Sequence, residues 1–280
     1  MQSPQFQLHA EIEQRHWWFV GRRRIMTGLV KTILPPSPDR LVIDVGCGTG
    51  ANIAALADHY ACVGIDASAE AIHLARERFP QVQFRQGSAP EDLGDWMDQA
   101  KLFLLMDVLE HLRDDFEFLS RILSASAPGC LFFITVPADE SLWTRHDESF
   151  GHYRRYEKRR LERLWEDLPV TPLLVSFFNS RLLPAIRLVR TVSRWRDKPL
   201  GPAGTDLWLP APPLNLILEN IFAGEIRRLL KTYARKNRGG YPRGLSLIAV
   251  LLRESGPISP RIRPADVVPD RHHPSVLPLP

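Results

Sequence analysis

Between residues 41 and 136 short apolar runs recur at intervals of about 20–30 residues, and the stretches between them repeat apolar side chains with helical spacing. The runs are Leu41–Val45 and residues 62–65, 82–85, 102–106 and 131–136. Such alternation predicts a parallel sheet covered by helices. Helices are predicted over 52–59, Ala69–Arg78 and 114–124, and Pro128 with Gly129 stops the chain before the fifth strand.

Ahead of this core, residues 6–34 predict one or two amphipathic helices that cap it, ended by Pro35 and Pro36 because proline cannot continue a helix. Behind it come a polar aromatic loop (138–156), a charged helix (157–167) and an apolar run (173–178) that suits a sixth strand. A basic amphipathic stretch (183–195), a proline-rich loop (209–214), a helix (215–236) and a β-like run (245–252) follow. The expected organisation is a helical cap over 1–38, a core over 39–178, a helical insertion over 179–244, a last core strand over 245–254 and a tail over 255–280. The tail has seven prolines and little apolar periodicity, which predicts disorder.

Composition narrows the class. With 280 residues, 44% of them hydrophobic and 24% charged, the chain can bury a sizeable core, which excludes a disulfide-stapled miniprotein. Cys47, Cys62 and Cys130 are scattered, which fits reduced thiols in the cytoplasm and argues against a structural zinc site. The first ten residues are polar and Trp17-Trp18-Phe19-Val20 is too short for a leader, so export is not expected. Asn179, Arg181 and Arg187 interrupt the longest apolar stretch, so no membrane span is predicted.

The net charge of +4 conceals an asymmetry. Residues 1–150 carry 13 Lys+Arg against 21 Asp+Glu, whereas 151–280 carry 23 against 11. The basic half suits an anionic partner, or simply a solvated basic surface. Nucleic acid is disfavoured, because no groove-reading motif accompanies the charge.

The sharpest chemical signal is Leu41-Val-Ile-Asp44-Val-Gly46-Cys47-Gly48-Thr-Gly50, a buried strand running into alternating glycines. Glycine there allows a tight turn and the close approach of a ligand to the backbone. Asp66 closes the next strand, where a carboxylate can accept both hydroxyls of a ribose. Gly46, Gly48 and Ala51 also satisfy a dinucleotide fingerprint, so NAD competes as the ligand. Asp44 tips the balance, since a carboxylate beside the loop repels a pyrophosphate and attracts the cationic head of S-adenosylmethionine.

Asp44-Val-Gly46-Cys-Gly48-Thr-Gly50, Gly64-Ile-Asp66 and Asp107-Val-Leu-Glu110-His111 together resemble the class I S-adenosylmethionine-dependent methyltransferases, over roughly residues 41–136. The resemblance implies a Rossmann-like α/β fold: a seven-stranded sheet with helices on both faces, closed by a hairpin of strands six and seven from 173–178 and 245–252. It implies that Asp44 and the backbone of Gly46, Cys47, Gly48 and Gly50 hold the methionyl part of the cofactor. Asp66 with Ala67 takes the ribose, Ser88 and Ala89 flank the adenine, and Asp107 helps seat the cofactor. Many relatives have Asp where Ser88 stands.

Three clusters are candidates for the chemistry. Asp107, Glu110 and His111 are spaced so that a helical turn would put them on one face, at the sheet edge where open α/β folds bind ligands. They could hold a divalent cation such as Mg, as the similar motif of ubiquinone-type O-methyltransferases does in some members, or His111 could serve as a base. Local packing of Glu110 and His111 is the alternative. The second cluster runs from Arg145 to Tyr156; His152 and Tyr153 are candidates for catalysis, and Arg154 and Arg155 offer donors to an anionic substrate group, unless the loop is merely tied into its own hydrogen bonds. The third is His16-Trp17-Trp18-Phe19 with Arg22, Arg23 and Arg24: a lid in which Trp17 and Trp18 exclude water and touch substrate, or a staple of the first helix onto the core.

The expected function is methyl transfer to oxygen or carbon of a small-molecule or lipid-like acceptor, anionic or neutral. A cofactor-binding scaffold without turnover and an NAD-dependent oxidoreductase are the alternatives. Residues 183–195 have the pattern of an interfacial helix, which makes peripheral contact with a membrane surface a further expectation beside folding against the protein itself.

Overall fold

In β1 (Leu41–Val45) every side chain is buried, and successive ones go to opposite faces: Ile43 and Val45 enter one core layer, Val42 the other. The same alternation repeats through β2 (Ala61–Asp66), β4 (Ala100–Met106) and β5 (Leu131–Pro137), while in β3 (Gln83–Gln86) only Phe84 is buried. The computed structural model describes residues 3–196, 205 and 207–258. Its sheet has seven strands in the order β3-β2-β1-β4-β5-β7-β6, with β6 at Val170–Phe178 and β7 at Ser246–Arg253. The first five are parallel, and β7 runs antiparallel between β5 and β6. Because β1 is flanked by β2 and β4, its connection and that of β4 leave in opposite directions, and a crevice opens between their carboxyl ends.

Helices α1 (Ser3–Ile12) and α2 (Trp17–Ile33) precede the sheet. Ile25, Met26 and Leu29 of α2 pack on the core layer that contains Val42, Leu102 and Leu104. Arg22 lies one turn earlier on the same stripe and reaches over the strand ends. Asp44 alternates with Val42, so it too faces the side covered by α2.

The remaining helices are α3 (Ala51–Ala54), α4 (Ala69–Arg78), α5 (Trp96–Gln99), α6 (Asp115–Ala125), α7 (Arg145–Ser149), α8 (Lys158–Glu162), α9 (Leu183–Arg196), α10 (Pro212–Ala223) and α11 (Ile226–Ala234). Several depart from the sequence expectation. The helix expected over 52–59 ends at Ala54 and continues as turns, and the charged helix over 157–167 stops at Glu162. The helix expected over 215–236 is two helices. It breaks where Glu225 turns inward to accept the backbone N–H groups of Ser180 and Arg181 (2.8 and 2.7 Å), and Gly224 leaves room for the Arg181 guanidinium. The proline-rich loop over 209–214 is already helical from Pro212, a residue type suited to a first turn. Of the tail, residues 259–280 lie outside the described residues.

Candidate active site

The glycine loop leaves β1 at the crevice. Its start is fixed by Gly46 N–H and Cys47 N–H donating to Ile65 O (2.8 and 3.1 Å). Gly48 has φ +53 and open space where a Cβ would stand, so the backbone is bare toward the crevice. At Gly50, with φ +86, a Cβ would meet the Phe84 ring at 2.7 Å, so packing as well as the turn demands glycine. Asp66 at the end of β2 accepts from Gly48 N–H and Ser68 N–H, both at 2.9 Å, which points its carboxylate back at the loop. Cys47 is turned into the core, and burial pushes its thiol well up, which removes it as a nucleophile.

Asp44 is buried, and its Oδ2 has no hydrogen-bond partner among the described residues. Burial pushes its carboxyl up to about 8, against the opposing pull of the Arg22 guanidinium. An unsatisfied acid under a bare glycine loop fits a ligand that brings a positive charge.

Next along the edge, Ser88 N–H donates to the Asp92 carboxylate at 2.7 Å while its side chain is exposed. Ala89 is buried in the core, and Ala67 is exposed. Asp92 thus stands beside the predicted adenine flank, a residue the sequence reading passed over.

The cap closes over this crevice. Glu13, just past α1, accepts from the Thr49 hydroxyl of the glycine loop at 2.7 Å and pairs with Arg78. Arg22 pairs with Asp107, whose other oxygen accepts from the Thr135 hydroxyl at 3.0 Å. The Trp18 ring lies 4.2 Å from the Arg22 guanidinium, while Trp17 packs edge-on against Phe222 of α10. Trp18 therefore borders the crevice, and Trp17 fastens the cap to α10.

Asp107 consequently parts from Glu110 and His111. It has φ 58, and the chain then forms a single 3-10 turn over Leu109–His111 in place of the helical face expected from the spacing. The third member of that cluster is His152: ligand atoms of Glu110, His111 and His152 all lie within 4.8 Å of one another. Glu110 is fully buried with neither carboxylate oxygen partnered among the described residues, and burial pushes it up to about 8. The His111 and His152 rings meet edge to face at 4.8 Å, and burial lowers both below the usual imidazole range. His152 Nδ1 lies 3.0 Å from the Asp147 carboxylate, which leaves Nε2 for other chemistry. Tyr153 N–H donates to Glu110 O at 2.8 Å and ties the loop to the turn.

Arg154 and Arg155, expected from the sequence to offer donors to a substrate, are buried in pairs within the protein. Arg154 pairs with buried Asp115 at 3.0 Å and donates to Arg113 O; Arg155 pairs with buried Asp147 at 2.7 Å and donates to Ala138 O. A guanidinium this deep must be matched by a charge, and these two fasten the loop. Asp115 and Asp147 are the hubs that sequence reasoning missed, because their partners converge only once the chain is folded.

The bare glycine loop at the β1/β4 switch point, an acid at each of two neighbouring strand ends and the antiparallel seventh strand define a class I S-adenosylmethionine-dependent methyltransferase. A family model described as a methyltransferase domain matches residues 18–173, more than half of the chain, and the chain belongs to that family. The NAD-dependent alternative falls with this match. Trans-aconitate 2-methyltransferase of Azoarcus sp. is 34% identical over 130 residues, 45% of this chain and 50% of that enzyme, so the match spans half of its length. The enzyme of the same description from Deinococcus radiodurans is 24% identical over 227 residues, 76% of this chain and 84% of the other. In fold, the chain is similar to the plantazolicin methyltransferase BamL, solved with SAH, at a TM-score of 0.55 and 13% identity over 90% of this chain and 91% of that one.

Proposed function

We propose that the chain transfers a methyl group from S-adenosylmethionine to an oxygen atom of a small-molecule acceptor. The observation that carries the reading is the buried Asp44 carboxylate, unpartnered at Oδ2, beside the bare backbone of Gly48. When bound, the cofactor supplies a methyl carbon already activated by a sulfonium. Asp44 and the loop from Gly46 to Gly50 hold its cationic amino-acid end, Asp66 its ribose, and the segment of Ala67, Ser88 and Ala89 its base.

His152 is the proposed base. Asp147 fixes its Nδ1, burial keeps the ring neutral, and Nε2 is available to take the acceptor's hydroxyl proton. Neutral Glu110 can donate a hydrogen bond to the same acceptor, and Trp18 with the cap keeps water out. The relatives named for trans-aconitate support a small acceptor.

A second reading is favoured by the two orphaned oxygens of Glu110: Glu110, His111 and His152 hold a divalent cation. Two imidazoles and one carboxylate suit a transition ion better than Mg, which prefers oxygen ligands throughout.

Calorimetry with S-adenosylhomocysteine and with NAD tests the cofactor; tight binding of NAD alone would overturn it. Labelled methyl transfer into a small-molecule extract tests turnover, and a complete absence of product would leave the scaffold reading. His152→Ala is expected to lower kcat about 100-fold or more while S-adenosylhomocysteine still binds. Unchanged kcat in that variant sinks the base. Activity lost on chelation and restored by Mn or Zn would establish the second reading.

A further inference from the structure

Helix α10 packs on α2 through one face only. Phe222 is buried against Trp17, the Asn215 side chain accepts from Trp17 N–H at 2.9 Å, and Glu219 pairs with Arg24 at 2.9 Å. Its opposite face carries Leu214, Leu216, Ile217 and Ile221, with Leu216 57% and Ile217 56% exposed, and none of the exposed residues of the helix is charged. The segment before it adds Trp208, 57% exposed although its backbone carbonyl is held by His16 Nε2 at 3.0 Å. Leu188 and Val189 of α9 are also exposed. A fixed backbone under a projecting indole, continued by a row of aliphatic side chains, is costly to leave in water unless something covers it.

Charge indicates what covers it. Residues 179–244 carry 13 Lys+Arg against 4 Asp+Glu. The exposed side chain of Arg24 lies against Glu219 and Asn220 of α10, and that of Arg181 reaches the carbonyl of Ile221 at its end. An apolar ridge bordered by Arg24, itself paired with Glu219, and by Arg181, in a segment of strongly positive net charge, matches the headgroup boundary of an anionic bilayer, where aliphatic side chains enter the acyl region and arginines stay with the phosphates. No helix among the described residues is long and apolar enough to cross a membrane, and α10 at 12 residues spans only about 18 Å, so the fit is to a surface.

We infer that α10, with Trp208 and Leu209 ahead of it, docks the protein onto an anionic lipid surface. The site differs from the stretch over 183–195 that the sequence suggested: of that stretch, the side chains of Arg190 and residues 192–195 lie outside the described residues. The ridge is joined to the cap by the His16 and Trp17 contacts, so docking brings the cap side of the crevice to the lipid boundary. An amphiphilic acceptor could then arrive from the bilayer. This inference stands apart from the proposed chemistry, because docking requires no turnover.

The test is co-sedimentation of the full chain with vesicles of phosphatidylcholine, with and without phosphatidylglycerol. Binding to the anionic vesicles at low ionic strength, weakened by salt, is expected. The double variant Ile217→Asp with Ile221→Asp should lose about tenfold or more of that partitioning while keeping its affinity for S-adenosylhomocysteine, which also reports that it is folded. A protein that stays in solution with both vesicle types overturns the inference. So does a double variant that sediments like the parent, or light scattering that finds a dimer which the double variant abolishes without vesicle binding by the parent. Retained affinity for S-adenosylhomocysteine in any of these cases leaves the cofactor reading untouched.

Discussion

Asp44 concentrates the chemistry of the crevice in one side chain. Arg22, Asp66, Glu13 and Cys47 all bear on it, and burial outweighs the attraction of Arg22, so its carboxyl is raised to about 8. The sign follows from linkage. Between about 4 and 8 the folded protein retains a proton that the unfolded carboxylate has released, so this group's contribution to stability falls as pH rises through that window. A cationic ligand reverses the preference and expels the proton. Binding of S-adenosylhomocysteine, whose ammonium group carries the charge, is therefore expected to release close to one proton at neutral pH, seen as calorimetric heats that vary with the ionisation heat of the buffer. Asp44→Asn should abolish the release, weaken binding and raise the Tm of the free protein at pH 8. Heats independent of buffer in the parent would show that Asp44 is not the group that meets the cofactor. The place of Asp44 at the strand end beside the glycine loop was legible from sequence, because it precedes the first glycine by two residues. That Arg22 and Glu13 bear on it was not, since neither lies near it in the chain.

Among elements, the loop between β5 and α8 departs furthest from what its sequence suggests. Arg154 and Arg155 look like exposed donors when read in order, because sequence order does not reveal which guanidinium will be covered. In the fold Asp115, at the start of α6, takes Arg154, Arg160 and the Tyr156 hydroxyl at 3.0, 2.9 and 2.6 Å, all from residues about 40 positions away. The central strands β1, β4 and β5, by contrast, were readable, because a strand buried on both faces must be largely apolar whatever its neighbours are. The break at Gly224 was not readable, since it depends on Glu225 meeting Ser180 and Arg181. Asp115→Ala removes the acid and strands two buried or part-buried guanidiniums, so a loss of about 3–5 kcal/mol in urea unfolding is expected. Asp115→Asn should lose less, because it keeps hydrogen bonds to Tyr156 and one arginine. A loss below about 1 kcal/mol for the alanine variant would mean that the loop is held by its backbone contacts instead.

At the scale of the whole molecule, the cap is the part through which the other regions meet. One side of it touches the glycine loop through Glu13 and Thr49 and the β4 end through Arg22 and Asp107. The other side holds α10 through Trp17 and Trp208 through His16. The cap is expected to loosen when a nucleoside as large as the proposed cofactor enters beside Asp44, and to close again after it. Glu13 is the link of the cap to the glycine loop: its carboxylate accepts from Thr49 of that loop and pairs with Arg78 at the end of α4. Removing its carboxylate in Glu13→Ala should therefore raise the association rate of S-adenosylhomocysteine severalfold and increase hydrogen exchange in α1 and the start of α2, with the sheet unchanged. The dissociation rate should rise as well, because the same contacts hold the closed form. Stopped-flow binding and exchange on the same variant decide the matter, and an association rate equal to that of the parent would mean that the crevice is reached by a path that does not involve the cap.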